Sequence, residues 1–101
     1  MLAFSNAVWA GDIPCHGKVI FAMADHGECI DDKGRRQMAF VTSSSSNPWM
    51  CALTDLGSSM VLAASLSNKP IQVYISDKNA GHSCSSIPNY SKVSYLIIPN
   101  T

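Results

Sequence analysis

A single segment of the chain carries start and stop signals for an α-helix, which limits the remaining segments to strands and loops. Asn47 is a good N-cap, and Pro48 suits the first helical position, where its missing N–H costs nothing. At the other end, Asn68 can adopt the left-handed conformation that ends helices, and Pro70 prevents continuation. The residues at helical spacing that predict an apolar face are Leu53, Leu56, Met60 and Ala63.

Apolar and alternating segments on both sides of this helix predict five strands. They are residues 17–24, 28–30, 35–42, 70–76 and 92–98. Turns are expected at Asp25-His26-Gly27 and from Asp31 to Gly34, because aspartate and glycine favour turn geometry, and residues 77–91 form a loop. This β-β-β-α-β-β order is that of the five-stranded Greek-key OB barrel. The predicted fold class is therefore mainly β with one helix, and residues 11–101 form a single OB-fold domain.

Four cysteines in so short a chain predict a disulfide framework if the protein is exported. In an OB barrel the fourth strand runs antiparallel to the first, so the loop after strand four lies near the start of strand one. Cys15 and Cys84 occupy those two places. Among the three pairings that four cysteines permit, this favours Cys15–Cys84 and leaves Cys29 with Cys51.

Zinc binding is an alternative use of the cysteines, since two Cys with two His form a common ligand set. The candidate pairs are His26-x-x-Cys29, His82-x-Cys84 and Cys15-His16. Their spacing matches no standard zinc finger and export favours oxidised thiols, so we predict no metal and no cofactor. The histidines are assigned to loops. Serine is abundant, but there is no Gly-x-Ser-x-Gly elbow and no evident base beside a nucleophile, so we predict no enzyme.

The N-terminus and the composition bear on where the protein works. Residues 2–10 resemble the tail of a secretory signal, with cleavage after Ala7 or Ala10. We therefore assign residues 1–10 to a signal-peptide remnant or flexible N-terminus, and expect a secreted or periplasmic protein. The net charge of zero argues against a nucleic-acid partner, and no apolar run approaches the roughly 18 residues of a membrane span. Charged residues make up only 14%, against about 25% in typical domains, which suggests that a partner covers part of the surface.

Several segments together resemble one family of secreted bacterial proteins. The segments are Trp9-Ala10-Gly11-Asp12, Gly17-Lys18-Val19-Ile20, Cys29-Ile30, the serine-rich approach from Ser44 to Trp49, and the spacing from Trp49 to Pro70-Ile71-Gln72-Val73-Tyr74. They are similar to the B subunits of bacterial AB5 toxins of the subtilase-cytotoxin and typhoid-toxin type, and Gly34 to Ala39 is similar to a strand of cholera-type B subunits. Ser83 to Tyr90 also fits a broader set of small secreted bacterial proteins.

The toxin resemblance implies an OB-fold subunit that forms a homopentameric ring, binds cell-surface glycans and delivers a toxin A subunit. His16 stands where the subtilase type has the serine that receives terminal sialic acid, and Ile75 stands where that type has a sugar-contacting tyrosine. The alternative is a stand-alone secreted bacterial OB-fold interaction protein without catalytic activity.

Two sets of residues are candidates for binding. In the fourth strand Ile71, Val73 and Ile75 alternate inward, so Gln72 and Tyr74 point outward, where amide and aromatic groups suit sugars. The glycan-binding candidates are His16, Arg35, Arg36, Gln72 and Tyr74. Between Pro48 and Ser67 only Asp55 is charged, which indicates that another subunit covers the helix. The oligomer-interface candidates are Trp49, Gly57, Ser58, Met60, Val61 and Ala64.

Overall fold

The computed structural model describes residues 12–45, 47–76 and 83–99. Residues 1–10, assigned above to a signal remnant, and His82 lie outside them. The elements in chain order are β1 (Asp12–Pro14), β2 (Val19–Ile30), β3 (Arg36–Thr42), β4 (Met50–Cys51), α1 (Asp55–Ser67), β5 (Gln72–Ser76), a 3₁₀ helix (Cys84–Ser86) and β6 (Ser91–Ile97). The protein is mainly β with one α-helix, as the sequence predicts.

The strands form one six-stranded mixed sheet in the order β1-β5-β6-β4-β3-β2. All neighbouring strands pair antiparallel except β4 and β6, which run parallel. The two edge strands, β1 and β2, follow each other in the chain and are joined by residues 15–18. One bridge, between Gly17 and Ile71, extends the pairing of this connection with the start of β5. The sequence predicts neither the short β1 nor the short β4.

The turn expected at Asp25-His26-Gly27 is absent, and the two strands predicted around it are one continuous strand, β2. Asp25 does have a positive φ of 55°. It does not reverse the chain, because β3 pairs with β2 on both sides of it: Met23 lies opposite Ala39, and His26 opposite Gln37. The register shifts between these pairs, so the turn-favouring residues form an irregularity within a strand. His26 is consequently a strand residue and not a loop residue.

The helix begins seven residues later than the sequence predicts, because a different residue caps it. The N-cap is Thr54, whose side chain accepts a hydrogen bond from the Gly57 N–H. Asn47 and Pro48 precede β4, whose residues pair with β3 and β6, so tertiary pairing outweighs a local helix signal. The predicted end is confirmed, since Asn68 takes the left-handed conformation with φ 56° and ψ 38°.

The face of α1 that packs on the core differs from the predicted apolar face. Val61 and Ala64 are buried, whereas Leu56 is 71% exposed and Ala63 is also exposed. Val61 and Ala64 were expected at an oligomer interface, but they belong to the core of this chain. Any contact with another molecule through α1 therefore has to use other residues.

The core lies between α1 and the inner sheet face. Its largest fully buried side chains are those of Phe40, Met50, Ile71, Val61 and Val73. The Cys15–Cys84 disulfide lies in this core, and Cys29–Cys51 lies in a separate small buried cluster; their Cα–Cα distances are 5.3 and 5.2 Å. This is the pairing that the sequence predicts, and it uses all four cysteines, although β5 pairs with β1 and not with the predicted first strand. No helix among the described residues is long and apolar enough to cross a membrane.

Candidate functional site

An aromatic cluster lies on the outer sheet face where β1, β5 and β6 meet. The rings of Tyr74 and Tyr95 stack with centroids 4.7 Å apart and an angle of 22° between their planes. His16 meets Tyr74 edge-on at 4.9 Å. Tyr95 is 48% exposed, and Tyr74 and His16 are half-buried. The three rings form a surface platform supported by the core beneath it.

Strand geometry brings the two tyrosines together. Val73 and Ile75 point into the core, so Tyr74 between them points outward. Tyr74 lies opposite Tyr95, but Ile75 lies opposite Val93, which makes Ser94 an extra residue in β6. This bulge lets Val93 point inward and Tyr95 point outward. Tyr95 is not among the residues predicted from the sequence, because the pattern of β6 alone gives no sign of the bulge.

Two hydrogen bonds fix the polar atoms around this platform. The Val73 N–H donates to Nδ1 of His16 over 3.2 Å, so the ring proton of His16 is on Nε2. The Tyr95 hydroxyl donates to Oδ2 of Asp12 over 2.9 Å. This hydrogen bond, with some burial, raises the pKa of Tyr95 above its ordinary value. The platform therefore combines flat aromatic faces with an imidazole N–H donor and a carboxylate acceptor.

Gln72 belongs to the same face of the sheet. It alternates with Tyr74 along β5, lies opposite Ile97 of β6, and is half-buried. Three of the five predicted glycan-binding residues, His16, Gln72 and Tyr74, are therefore on or beside the platform. Asp12 and Tyr95, which were not predicted, lie there as well.

The two predicted arginines lie in a different part of the molecule. Arg36 is opposite Ile30, at the far end of β2 from His16. Together with Asp25 and Asp55 it lines a cavity of about 220 Å³. Arg35 is occupied by internal ion pairs, with Nη1 2.9 Å from Oδ2 of Asp55. Neither arginine adjoins the tyrosine platform.

The ion pairs of Arg35 belong to a polar network that ties the turn after β2 to the helix. Asp31 accepts hydrogen bonds from the backbone N–H groups of Arg35 and Lys33 and from the side chain of Gln37. These contacts, the backbone N–H of Arg35 first, lower the pKa of Asp31 to about 2. Gln37 also donates to Asp55, whose carboxylate lies at the start of α1. Every one of these contacts is internal, which points to a structural role.

A second aromatic group covers the Cys29–Cys51 disulfide on the outer face. The rings of His26 and Tyr90 are 4.6 Å apart, and those of Phe21 and Trp49 are 6.3 Å apart. Trp49 and Tyr90 pack against a small buried cluster of Cys29, Cys51 and Ala39. The Tyr90 N–H donates to the Trp49 carbonyl, which helps to hold Tyr90 at its positive φ of 66°. Trp49, an interface candidate, is thus half-buried against its own chain.

The small residues predicted at an interface make contacts within the chain. A Cβ at Gly57 would lie 3.3 Å from Oγ1 of Thr54 and 3.7 Å from Cβ of Ala52. The hydroxyl of Ser58 donates to Gln37 and accepts from the Met38 N–H. The small side chains thus have a packing role in the monomer. Met60 is partly exposed and lines a groove beside β6.

Comparisons of the chain with protein-family models, curated proteins and solved structures give no match.

Proposed function

We propose that this chain is an exported glycan-binding subunit that works as a multimer and has no catalytic activity of its own. The observation that carries the proposal is the platform of Tyr74, Tyr95 and His16 with the Asp12 carboxylate beside it. Two disulfides are typical of proteins that function in oxidising, exported compartments.

A sugar ring matches this platform in chemistry. One face of a pyranose presents C–H groups, which pack on flat aromatic rings, while hydroxyls project from its edge. The Asp12 carboxylate can accept from a hydroxyl, and His16 Nε2–H can donate to one. Asp12 can accept from a sugar hydroxyl while Tyr95 also donates to it, because an ionised carboxylate has about four acceptor positions.

An exposed platform binds a single sugar weakly, so several copies are part of the proposal. Linked sites raise overall avidity through effective concentration without any new contact. A homopentameric ring that binds cell-surface glycans and carries a toxin A subunit is the form that the sequence resemblance favours. An OB-type barrel is part of the same proposal. It is supported by the parallel β4–β6 pairing and by edge strands β1 and β2 that are consecutive in the chain.

The alternative is a stand-alone secreted interaction protein with the same fold. A neighbouring gene for an enzymatic A chain would favour the toxin subunit, because a delivery ring needs a cargo. The exposed apolar strand and helix residues described below fit either role. The glycan proposal is preferred because it accounts for the polar atoms around the tyrosines.

A glycan array probed with the native multimer tests the proposal. We expect selective binding that falls about tenfold or more when Tyr74 is replaced by alanine, since a loss of roughly 1.4 kcal/mol is tenfold. The matched control is Arg36→Ala, which removes an exposed candidate away from the platform and should leave binding unchanged. Binding lost in Arg36→Ala but retained in Tyr74→Ala would contradict the proposed site. An array without glycan hits would contradict the proposed function.

A further inference from the structure

The first half of β2 is an apolar strand edge. β2 ends the sheet order, and among the described strands it pairs with β3 alone. Phe21 is 59% exposed, Ile20 and Met23 are also exposed, and residues 19–24 contain no charged residue. Such edges promote association unless charges or bulges protect them. Bulges flank the stretch at Ile20 and beyond Met23, but its side chains offer no charge.

A second strand edge is open beside the helix. Within β6, only Ser91 and Lys92 pair with β4. Among the described strands, residues 93–97 therefore pair on one side only, with β5. Between this edge and the first half of α1 lies a groove of about 200 Å³. No charged residue lines it; its aliphatic side chains are Leu53, Leu56, Met60, Val93 and Leu96, and Tyr95 of the platform also lines it.

We propose that this groove receives the β2 edge of a second copy of the chain. Both surfaces are apolar and uncharged, and both border a strand edge whose N–H and C=O groups need partners. The exposed apolar side chains of Ile20, Phe21 and Met23 would be buried in the apolar groove beside Leu56. A chain cannot fill its own groove, because its β2 is held by β3 at the end of its own sheet.

The proposed contact is head-to-tail, since each copy offers one β2 edge and one groove. Repeated contacts of this kind close into a ring or grow into a filament. This contact specifies how copies of the chain would assemble, and the expectation of a closed ring rests on the proposed function. It requires no particular ligand at the tyrosine platform, although Tyr95 borders both surfaces.

Point variants with a matched control test the contact. Leu56→Lys places a charge in the groove, and Met23→Lys places one on the β2 edge. Leu66 lies on the same helix, is 79% exposed and does not line the groove, so Leu66→Lys is the control. Native mass spectrometry at micromolar concentration should give a multimer for wild type and Leu66→Lys. It should give only single chains of about 10.8 kDa for Met23→Lys and Leu56→Lys.

Mixing the two broken variants adds a test that a misfolded variant cannot pass. Met23→Lys retains an intact groove, and Leu56→Lys retains an intact β2 edge. An equimolar mixture should therefore form a one-to-one heterodimer that grows no further. Ile20→Lys can replace Met23→Lys as a second edge variant and should behave in the same way.

Three results would overturn the inference: a monomeric wild-type protein, loss of assembly in Leu66→Lys, or a mixture that stays monomeric while each variant is folded. A glycan-binding assay distinguishes failure of this interface from failure of the proposed function. Weak binding by a monomer that depends on Tyr74 would leave the sugar site standing without this interface.

Discussion

At the scale of single residues, the outer sheet face depends on hydrogen bonds that orient its aromatic rings. Val73 contributes its backbone N–H to His16 while its side chain is buried in the core. Asp12, in the short strand β1, accepts from Tyr95, which comes from the other end of the chain. The sequence identifies Tyr74 and His16, because alternation and resemblance point to them. It does not identify Tyr95. Strict alternation would place Tyr95 on the same buried face as Val93, whereas the bulge at Ser94 places it on the outer face.

We expect Asp12→Asn to lower the pKa of Tyr95 toward its ordinary value. In the native protein the ionised carboxylate accepts from the phenol and opposes formation of a phenolate, which raises the pKa of Tyr95. A neutral amide removes the negative charge, so the phenol should ionise at a lower pH. Tyrosine absorbance followed during an alkaline titration measures this change. Asp25→Asn is the control, and identical titration curves for Asp12→Asn and wild type would contradict the assigned hydrogen bond.

At the scale of elements, local signals compete with strand pairing. Asn68 ends α1 as the sequence predicts, because the left-handed conformation is an intrinsic preference of asparagine. The predicted start at Asn47 and Pro48 is wrong, because Met50 and Cys51 are held between β3 and β6 and Cys51 is bonded to Cys29. Partner strands distant in sequence decide that segment. Only after Cys51 is the chain free to begin a helix.

The Thr54 cap should be measurable in the stability of the whole protein. Thr54→Ala removes the hydroxyl that accepts from the Gly57 N–H, and we expect a loss of about 0.5–2 kcal/mol in the free energy of unfolding. Thr54→Ser keeps that oxygen and should cost clearly less. Urea denaturation gives both values. An equal loss in the two variants would show that the methyl group, and not the cap, matters.

At the scale of the whole molecule, two disulfides connect segments distant in the chain. Cys15–Cys84 spans 69 residues and joins the start of the sheet to the 3₁₀ helix, and Cys29–Cys51 spans 22 residues. The pairing was predicted from an OB strand order, but the strand that pairs with β5 is β1, which the sequence does not predict. The Gly17–Ile71 bridge joins the start of the predicted first strand to the start of β5. The detailed shape of β2 and the buried face of α1 could not be predicted from the sequence, because both depend on packing between distant residues.

Removing the longer disulfide should destabilise the protein more than removing the shorter one. By the chain-entropy relation, replacing Cys15 and Cys84 with alanine costs about 4 kcal/mol, and replacing Cys29 and Cys51 costs about 3 kcal/mol. Urea denaturation of the two double variants measures the difference. The reverse order would mean that the aromatic packing over Cys29 and Cys51 outweighs loop length.

Amide chemical-shift mapping by NMR, with a glycan that the array selects, tests most directly whether the tyrosine platform binds sugar. We predict that the largest shifts fall on Asp12, His16, Tyr74 and Tyr95, and that they saturate with one glycan per chain. Shifts concentrated at Arg35 and Arg36, with the platform residues unmoved, would contradict the account.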